Sequence, residues 1–558
     1  MKKKLFLFTL LFLSGCEGLP SIGSSASSDT PISSGSFSSA SVVTSSDRNV
    51  SLSSSSDSFS TVSSAVEYGT RSVRLFGIND FHGAVLPNGY EPGIVRLGGY
   101  LKAMKDEGNT LLLNSGDLWQ GAIESNYNRG NLLTDCMNEI GFDCFTLGNH
   151  EFDWGDSYIR SNRERKAKDS DYQTPFLAAN IYNYDLPTKT VGSYADLGEK
   201  YTIRTLQNGL RVGIIGVIGK DQITSITSQY VDHLTFLDPT PIIKELSDEL
   251  RTERAVDVVV VDCHTDQRSI TESTSSGTDN AGITATSAVS GKRYVDAVFC
   301  AHTHKTETDF INGVPFIQTS GYGKTLSQVN LSVGSSGEVR CEKYLNSYTS
   351  TIDASYDSPA LSSIVESYKE ESDRAGQEVL GTLSGDLTSS STLVNFVAAA
   401  IAEYASSCRI PIDYAISNTG RYDLASGEVT YAELYRSLPF DNEIYILEAK
   451  GSDIRNELRY DSNGMYRVDK DALKSNETYT VAVLDYLALH RNSNREYNYF
   501  PSMKIISKLT KEDYDIFNYR DLTADYIRGF NGRTIDTSLY SSAEPHHDTS
   551  KLTQQVSF

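Results

Sequence analysis

Five short stretches of this chain carry residue types that hold divalent cations and move protons. They are Asp80-Phe81-His82, Gly116-Asp117, Gly148-Asn149-His150-Glu151 with Asp153 just beyond, the lone His264, and His302-Thr303-His304. Carboxylate, imidazole and amide oxygen in one set suit hard-to-borderline divalent ions such as Zn, Mn, Fe or Co. Alone, an Asp-x-His is commonly a polar turn and a lone histidine commonly a buried residue with one hydrogen bond. Together the stretches say more, because five of the nine histidines fall in them and chance would scatter these. Bound cations of this kind polarise an oxygen and activate water.

Each stretch closes a short apolar run: residues 73–78, 110–113, 142–147, 256–261 and 295–300. Continuous β-branched runs predict strands buried on both faces, and the amphipathic stretches between them predict covering helices. The fold class is therefore α/β, with ligands gathering at the carboxyl ends of the strands. Five strands delivering Asp, Asn and His to one edge is the central feature of the sequence.

The chain has 558 residues, with 50 Lys and Arg against 72 Asp and Glu, a net charge of −22. That balance excludes general binding of nucleic-acid polymers and disfavours adhesion to anionic membranes. At 39% hydrophobic residues there is enough apolar material for a sizeable core, and the length implies more than one domain. Lys2, Lys3 and Lys4 precede an apolar run over 5–13 and then Leu13-Ser14-Gly15-Cys16, which reads as an export signal. This ending resembles a bacterial lipobox, which implies a lipidated Cys16 that tethers a soluble body to a membrane face. Half of residues 21–64 are serine, so 17–69 predicts a flexible tether with a reach of roughly 35 Å. The other six cysteines show no CxxC pairing and predict no disulfide framework; Cys263 and Cys300 sit in apolar runs as small buried residues.

The order of the five motifs resembles the calcineurin-like metallophosphoesterases. Longer phrases, over 78–83, 146–155 and Ala178-Ala179-Asn180-Ile181, resemble the exported 5'-nucleotidase / UDP-sugar hydrolase branch. The resemblance implies a four-layer αββα metallophosphoesterase domain over 70–348, a linker helix over 349–377, a smaller α+β substrate domain over 378–545, and a tail over 546–558. It implies two divalent ions, one held by Asp80, His82, Asp117 and His304, the other by Asp117, Asn149, His264 and His302, with Asp117 bridging. A hydroxide held between the ions would attack phosphorus in line. His150 is implied as the catalytic histidine and Asp153 as its orienting partner.

In the last third, runs at 393–404, 414–417, 444–449 and 479–484 predict one helix and three strands. The segment from Ser417 to Leu424 resembles the family's phosphate loop, implying that Asn418 and Arg421 touch the phosphate side of the substrate. Pro439-Phe440-Asp441-Asn442 resembles the turn whose phenylalanine stacks on a base. Two departures are visible: Thr388-Ser389-Ser390-Ser391-Thr392 stands where the family has an arginine and a glutamate, and the Gly-Gly-Asp-Gly-aromatic loop is replaced by 489–497, near Tyr497 and Tyr499. The expectation is an exported, lipid-anchored phosphohydrolase acting on nucleotides or related small phosphate esters, including a UDP-sugar hydrolase or 2',3'-cyclic phosphodiesterase variant. The competing reading keeps the fold but makes the protein a ligand-binding or adhesion lipoprotein. A sulfur-ester hydrolase ranks last.

Overall fold

All five apolar runs form strands of two six-stranded sheets. The structure, a computed structural model, describes residues 70–272, 282–457, 464–466, 473–512, 517–540 and 556. One sheet runs Val339–Tyr348, Thr325–Val333, Arg71–Ile78, Thr110–Asn114, Cys144–Thr146, Phe176–Leu177. The other runs Glu307–Ile311, Val314–Gln318, Ala297–Phe299, Val258–His264, Arg211–Ile218, Tyr201–Thr205. Within each sheet the strands that end in metal-binding residue types run parallel to one another, so their carboxyl ends emerge on one edge; Arg71–Ile78 meets Thr325–Val333 antiparallel on its other side. Thr110–Asn114 and Val258–His264 are buried at every residue, as strands covered on both faces must be.

Facing sheet surfaces meet through Val73, Leu75, Leu113, Ile214, Val260 and Phe299. Gly77 permits this approach, since a Cβ there would run into the Phe299 ring. Helices Gly93–Asp106 and Asn131–Ile140 cover the first sheet with Leu97, Leu101, Leu133 and Ile140. Helix Pro239–Thr252 covers the second with Ile243, Leu246 and Leu250. It starts where Asp238 accepts the Thr240 N–H at 2.9 Å and proline opens the first turn. The layers are helix, sheet, sheet, helix: the αββα arrangement that the resemblance implies.

Helix Pro359–Gly376 begins at a Ser358 cap and buries Leu361 and Val365 against the Gly93–Asp106 and Asn131–Ile140 helices. Beyond it lies a mixed five-stranded sheet in the order Gly464–Tyr466, Tyr414–Ser417, Thr478–Leu484, Ile444–Lys450, Lys504–Lys508. Its core forms with helices Thr392–Ser407 and Tyr519–Arg528. Thr392–Ser407 carries an alanine-rich apolar sequence and is buried nearly all round, which an interior helix requires.

The expected export signal with Cys16, the serine-rich stretch to residue 69 and all but residue 556 of the 546–558 tail lie outside the described residues. Among the described residues, no helix is long and apolar enough to cross a membrane. Cys263 and Cys300 are buried thiols with their sulfurs 3.8 Å apart.

Candidate metal and catalytic centre

The strand ends bring all seven expected ligands together. Asp80, His82 and His304 present ligand atoms within 4.8 Å of one another, and so do Asp117, His264 and His302. His82 Nε2 lies 3.0 Å from His304 Nε2. Asn149 Oδ1 lies 3.0 Å from both His264 Nε2 and His302 Nδ1. Asp117 lies between the groups, its Oδ2 3.3 Å from His264 Nε2 and 3.8 Å from His82 Nε2. The tight turns have an energetic consequence. Asp80, His82, Asp117, His302 and His304 all have left-handed backbone, with φ of 50°, 47°, 54°, 81° and 55°. Non-glycine residues in that region cost about 1–3 kcal/mol each and persist where surrounding structure holds them, typically at functional sites.

The donor set fits a cation. His82 Nδ1–H donates to the Gln120 carbonyl at 3.0 Å, and His264 Nδ1–H to the Ser115 carbonyl at 2.7 Å. Each imidazole thus turns Nε2 into the site, with the other nitrogen held by a carbonyl as in metal-ligating histidines. Asp117 Oδ2 is buried and faces three imidazole nitrogens, His264 Nε2 at 3.3 Å, His82 Nε2 at 3.8 Å and His150 Nε2 at 3.9 Å. The field at this point favours positive charge: burial opposes protonation of His264, yet Asp117 raises its pKa to about 9. A divalent ion satisfies the same lone pairs. Burial and the neighbouring His304 lower His82 to about 3, and burial and His264 lower His302 to about 4, so both are neutral, ligand-competent imidazoles. Burial works against the charge of Asp80, but His304 holds its carboxyl well below the usual range.

Two buried carboxylates brace the ligand loops without belonging to the ligand clusters. Glu151 accepts the backbone N–H groups of Asp117, Leu118 and Gly148 at 2.8, 2.9 and 2.8 Å, so it ties two strand ends together. Burial and the nearby Asp117 push its pKa up to about 7. Asp262 accepts from Ser115 Oγ at 2.5 Å and Thr146 Oγ1 at 2.7 Å beneath the same loops. Sequence reasoning gave neither a role. Asp262 shows as an acid at the end of an otherwise apolar strand run, whereas Glu151 stands in a turn already rich in polar residues and carries no such signal.

His150 is fully buried, with Nδ1 2.8 Å from Asp153 Oδ2 and Nε2 3.0 Å from Arg421 Nη2. A guanidinium only donates, so Nε2 accepts and the imidazole N–H sits on Nδ1, facing Asp153. Burial holds His150 well below its ordinary pKa, against the pull of Asp117, and Arg421 adds to the shift. Burial and Asp117 push Asp153 up. Phe440 lies parallel to the His150 ring, with centroids 5.9 Å apart and planes at 17°. The Arg421 guanidinium is 5.3 Å from the Phe440 ring. Its turn is gripped by the first half of the chain: Asn126 donates to the Pro439 carbonyl at 3.1 Å, and Arg129 meets Asp441 at 3.2 Å. Asn418 is buried at the end of the Tyr414–Ser417 strand, three residues before Arg421.

The segment after Leu489 is also engaged. Tyr499 stacks on His490 at 4.2 Å and Tyr497 lies 4.3 Å from the Arg491 guanidinium. Arg491 pairs with Asp232 at 3.1 Å and Arg495 donates to the Leu234 carbonyl at 2.6 Å. In this arrangement the segment clasps the two halves of the chain together.

Residues 73–306 match the calcineurin-like phosphoesterase family, and residues 379–467 match the 5'-nucleotidase C-terminal domain family. The chain is 25% identical to endonuclease YhcR of Bacillus subtilis over 69% of its own length but only 32% of that longer protein. It is 25% identical to an apyrase of Tabanus yao, covering 82% of this chain and 92% of that one. Among solved structures, the 5'-nucleotidase precursor of Thermus thermophilus superposes with a TM-score of 0.64 at 18% identity, over 82% of this chain and 96% of that one. At that identity the likeness speaks for the fold alone.

Proposed function

Since the chain belongs to the calcineurin-like phosphoesterases that carry a 5'-nucleotidase C-terminal domain, we propose that it is a two-metal hydrolase of nucleotides or related small phosphate esters. The observation that carries this reading is the convergence of the Asp80–His82–His304 and Asp117–His264–His302 groups, with Asp117 also within reach of His82 and His150, on a buried His150–Asp153 pair faced by Arg421. Asp80, His82, Asp117 and His304 would hold one divalent ion, and Asp117, Asn149, His264 and His302 the other. Such ions, when bound, polarise the phosphoryl oxygens and make water a nucleophile near neutral pH.

The chain's own residues do the rest. Arg421 offers a planar fork to the phosphoryl oxygens, a fit lysine cannot reproduce. Asn418, at the end of the neighbouring strand, stands beside this loop as a further phosphate-side contact. When Arg421 turns to the phosphoryl group, His150 Nε2 is free to take up a proton from solvent and give it to the leaving oxygen, while the proton lost by the attacking water passes to solvent. Asp153 holds Nδ1–H throughout and fixes which nitrogen faces the substrate. Phe440 lies over the imidazole and limits water there, which strengthens charge–charge interactions at the reacting atoms.

The test is phosphate release from AMP, a UDP-sugar and 2',3'-cyclic AMP after chelation and resupply of Mn, Co or Zn. Absence of turnover with every ester and every metal overturns the reading. The proposal extends to location: the protein is exported and held at the outer face of a membrane by a lipid on Cys16. Cys16→Ser then leaves hydrolysis intact and moves the protein from the membrane to the soluble fraction. A variant that stays membrane-bound without lipid refutes the anchor.

A further inference from the structure

Asp262 lies in Val258–His264, a strand buried at every residue, and its carboxylate is fully buried beneath the metal centre. A carboxylate placed there is costly unless donors meet its oxygens. The donors all come from the other sheet or the residue just beyond its strand: Ser115 Oγ at 2.5 Å, Thr146 Oγ1 at 2.7 Å and Cys144 Sγ at 3.4 Å. Successive side chains of a strand point to opposite faces, so Asp262 and His264 share one face, a single step apart. Apolar neighbours on this strand would pack the two sheets together without any of these bonds.

What those donors carry gives the carboxylate its significance. Ser115 follows the Thr110–Asn114 strand and leads to Asp117, while Thr146 ends the Cys144–Thr146 strand and leads to Asn149. Both loops press on the His264 ring, since a Cβ at Gly116 or at Gly148 would lie 2.8 Å from one of its atoms. The Ser115 carbonyl also accepts His264 Nδ1–H at 2.7 Å. Through the hydroxyl and the carbonyl of one serine, Asp262 is thus linked to the imidazole two residues further along its own strand. Asp117, Asn149 and His264 hang from the three strand ends that Asp262 ties together. Asp80 and His82 follow Arg71–Ile78, and His304 lies beyond Ala297–Phe299. Among the described residues the Asp262 side chain bonds to neither of those loops.

We propose that Asp262 is a positioning residue for one ion of the pair: by fixing the Asp117, Asn149 and His264 loops against each other, it sets the affinity of the ion held by Asp117, Asn149, His264 and His302. The ion held with Asp80, His82 and His304 does not depend on it, because those three residues keep their places without it. The proposal rests on the two-metal reading above and adds an asymmetry between the two ions, built into the packing of the sheets beneath them.

The experiment titrates Co(II) into the full, metal-free chain and follows each equivalent by calorimetry and visible absorption. Wild type is compared with Asp262→Leu, Asp262→Asn and Ser115→Ala, and His264→Ala and His304→Ala supply the spectra of chains impaired at one ion or the other. Removing a group that holds a metal ligand in place commonly costs about 10–100-fold in metal affinity. Asp262→Leu is therefore expected to weaken one equivalent by about that factor and to leave the other unchanged, with the absorption change of His264→Ala and not of His304→Ala. Asp262→Asn, which keeps one acceptor oxygen, recovers part of the loss. Ser115→Ala keeps the carbonyl and loses only the hydroxyl; it weakens the same equivalent, and joined to Asp262→Asn it adds less than its separate effect, because both act through one bond. Should Asp262→Leu fail to fold, Asp262→Asn and Ser115→Ala decide the matter. Wild-type affinity for both equivalents in the folded variants overturns the proposal, and so does equal weakening of the two, which is what a general loss of packing gives. A wild-type chain that binds a single ion overturns it together with the two-metal reading. If one equivalent depends on Asp262 while no ester is cleaved, the positioning role stands and the hydrolase reading falls.

Discussion

His150 lies with His82 and Asp117 in a group that could hold a metal, but the nitrogen that would ligate, Nε2, faces a guanidinium. Its two nitrogens are divided between an orienting carboxylate, Asp153, and the guanidinium of Arg421. If it handles the proton of the leaving oxygen, His150→Asn retains the full metal content and lowers kcat by roughly 10²–10⁴-fold, the usual scale for a positioned acid–base group. KM changes less, because the interaction is made mainly in the transition state. Asp153→Asn gives a smaller loss of the same kind. Metal analysis and steady-state kinetics on the purified variants decide the matter: a variant that loses one metal and regains activity at high metal concentration assigns His150 to the ligand set.

At the scale of elements, the centre depends on strand-end loops held in costly conformations, and Glu151 is the brace between two of them. Glu151→Ala leaves three buried N–H groups without their acceptor, each worth about 1–3 kcal/mol. The expected result is a loss of several kcal/mol in denaturant unfolding together with weaker metal retention. Glu151→Gln, which keeps an acceptor oxygen, recovers part of both, and a Glu151→Ala protein as stable as wild type would show that the loops hold themselves. The clasp after Leu489 carries a pH dependence of its own. Burial lowers the pKa of His490 from 6.5 to about 4, against a weaker contribution from the Thr224 backbone. The unfolded chain therefore takes up a proton first as pH falls. The contribution to stability is complete above pH 6.5 and declines between 6.5 and about 4. Thermal melts at about pH 7 and about pH 4.5 should show a smaller acid-induced fall in Tm for His490→Phe, which keeps the stack on Tyr499, than for wild type.

On the scale of the whole molecule, the two halves meet around charged groups of both. Asp441 sits between Arg129 of the first half and Arg520 of the second, and Arg520 is only 4% exposed. Removing the carboxylate leaves the buried Arg520 guanidinium with the more distant Asp521, 3.9 Å away, as its carboxylate partner; breaking a buried pair costs up to about 3–5 kcal/mol. Asp441→Ala is thus expected to destabilise the protein on that scale in urea and to lower kcat as well, because the same turn carries Phe440 over His150. Loss of stability with kcat intact would separate the interface from the chemistry.

Strand patterning alone determined the α/β class and the edge on which Asp, Asn and His gather, because each of these residues lies within a few positions of a buried strand and strand patterning is a short-range signal. The αββα layering and the set Asp80, His82, Asp117, Asn149, His264, His302 and His304 came from the resemblance that the order of the motifs carries. The helix at Pro359–Gly376 and the Thr392–Ser407 helix were legible from short-range patterning as well. Contacts between remote segments leave no such periodic trace. Arg421 reaches His150 across 271 residues of chain, and nothing near either residue encodes that meeting. The same holds for Phe440 lying on the imidazole, for the 489–497 segment acting as a clasp, and for Glu151 bridging two loops. Tertiary structure decided these points because each depends on which surfaces compete for the same buried volume.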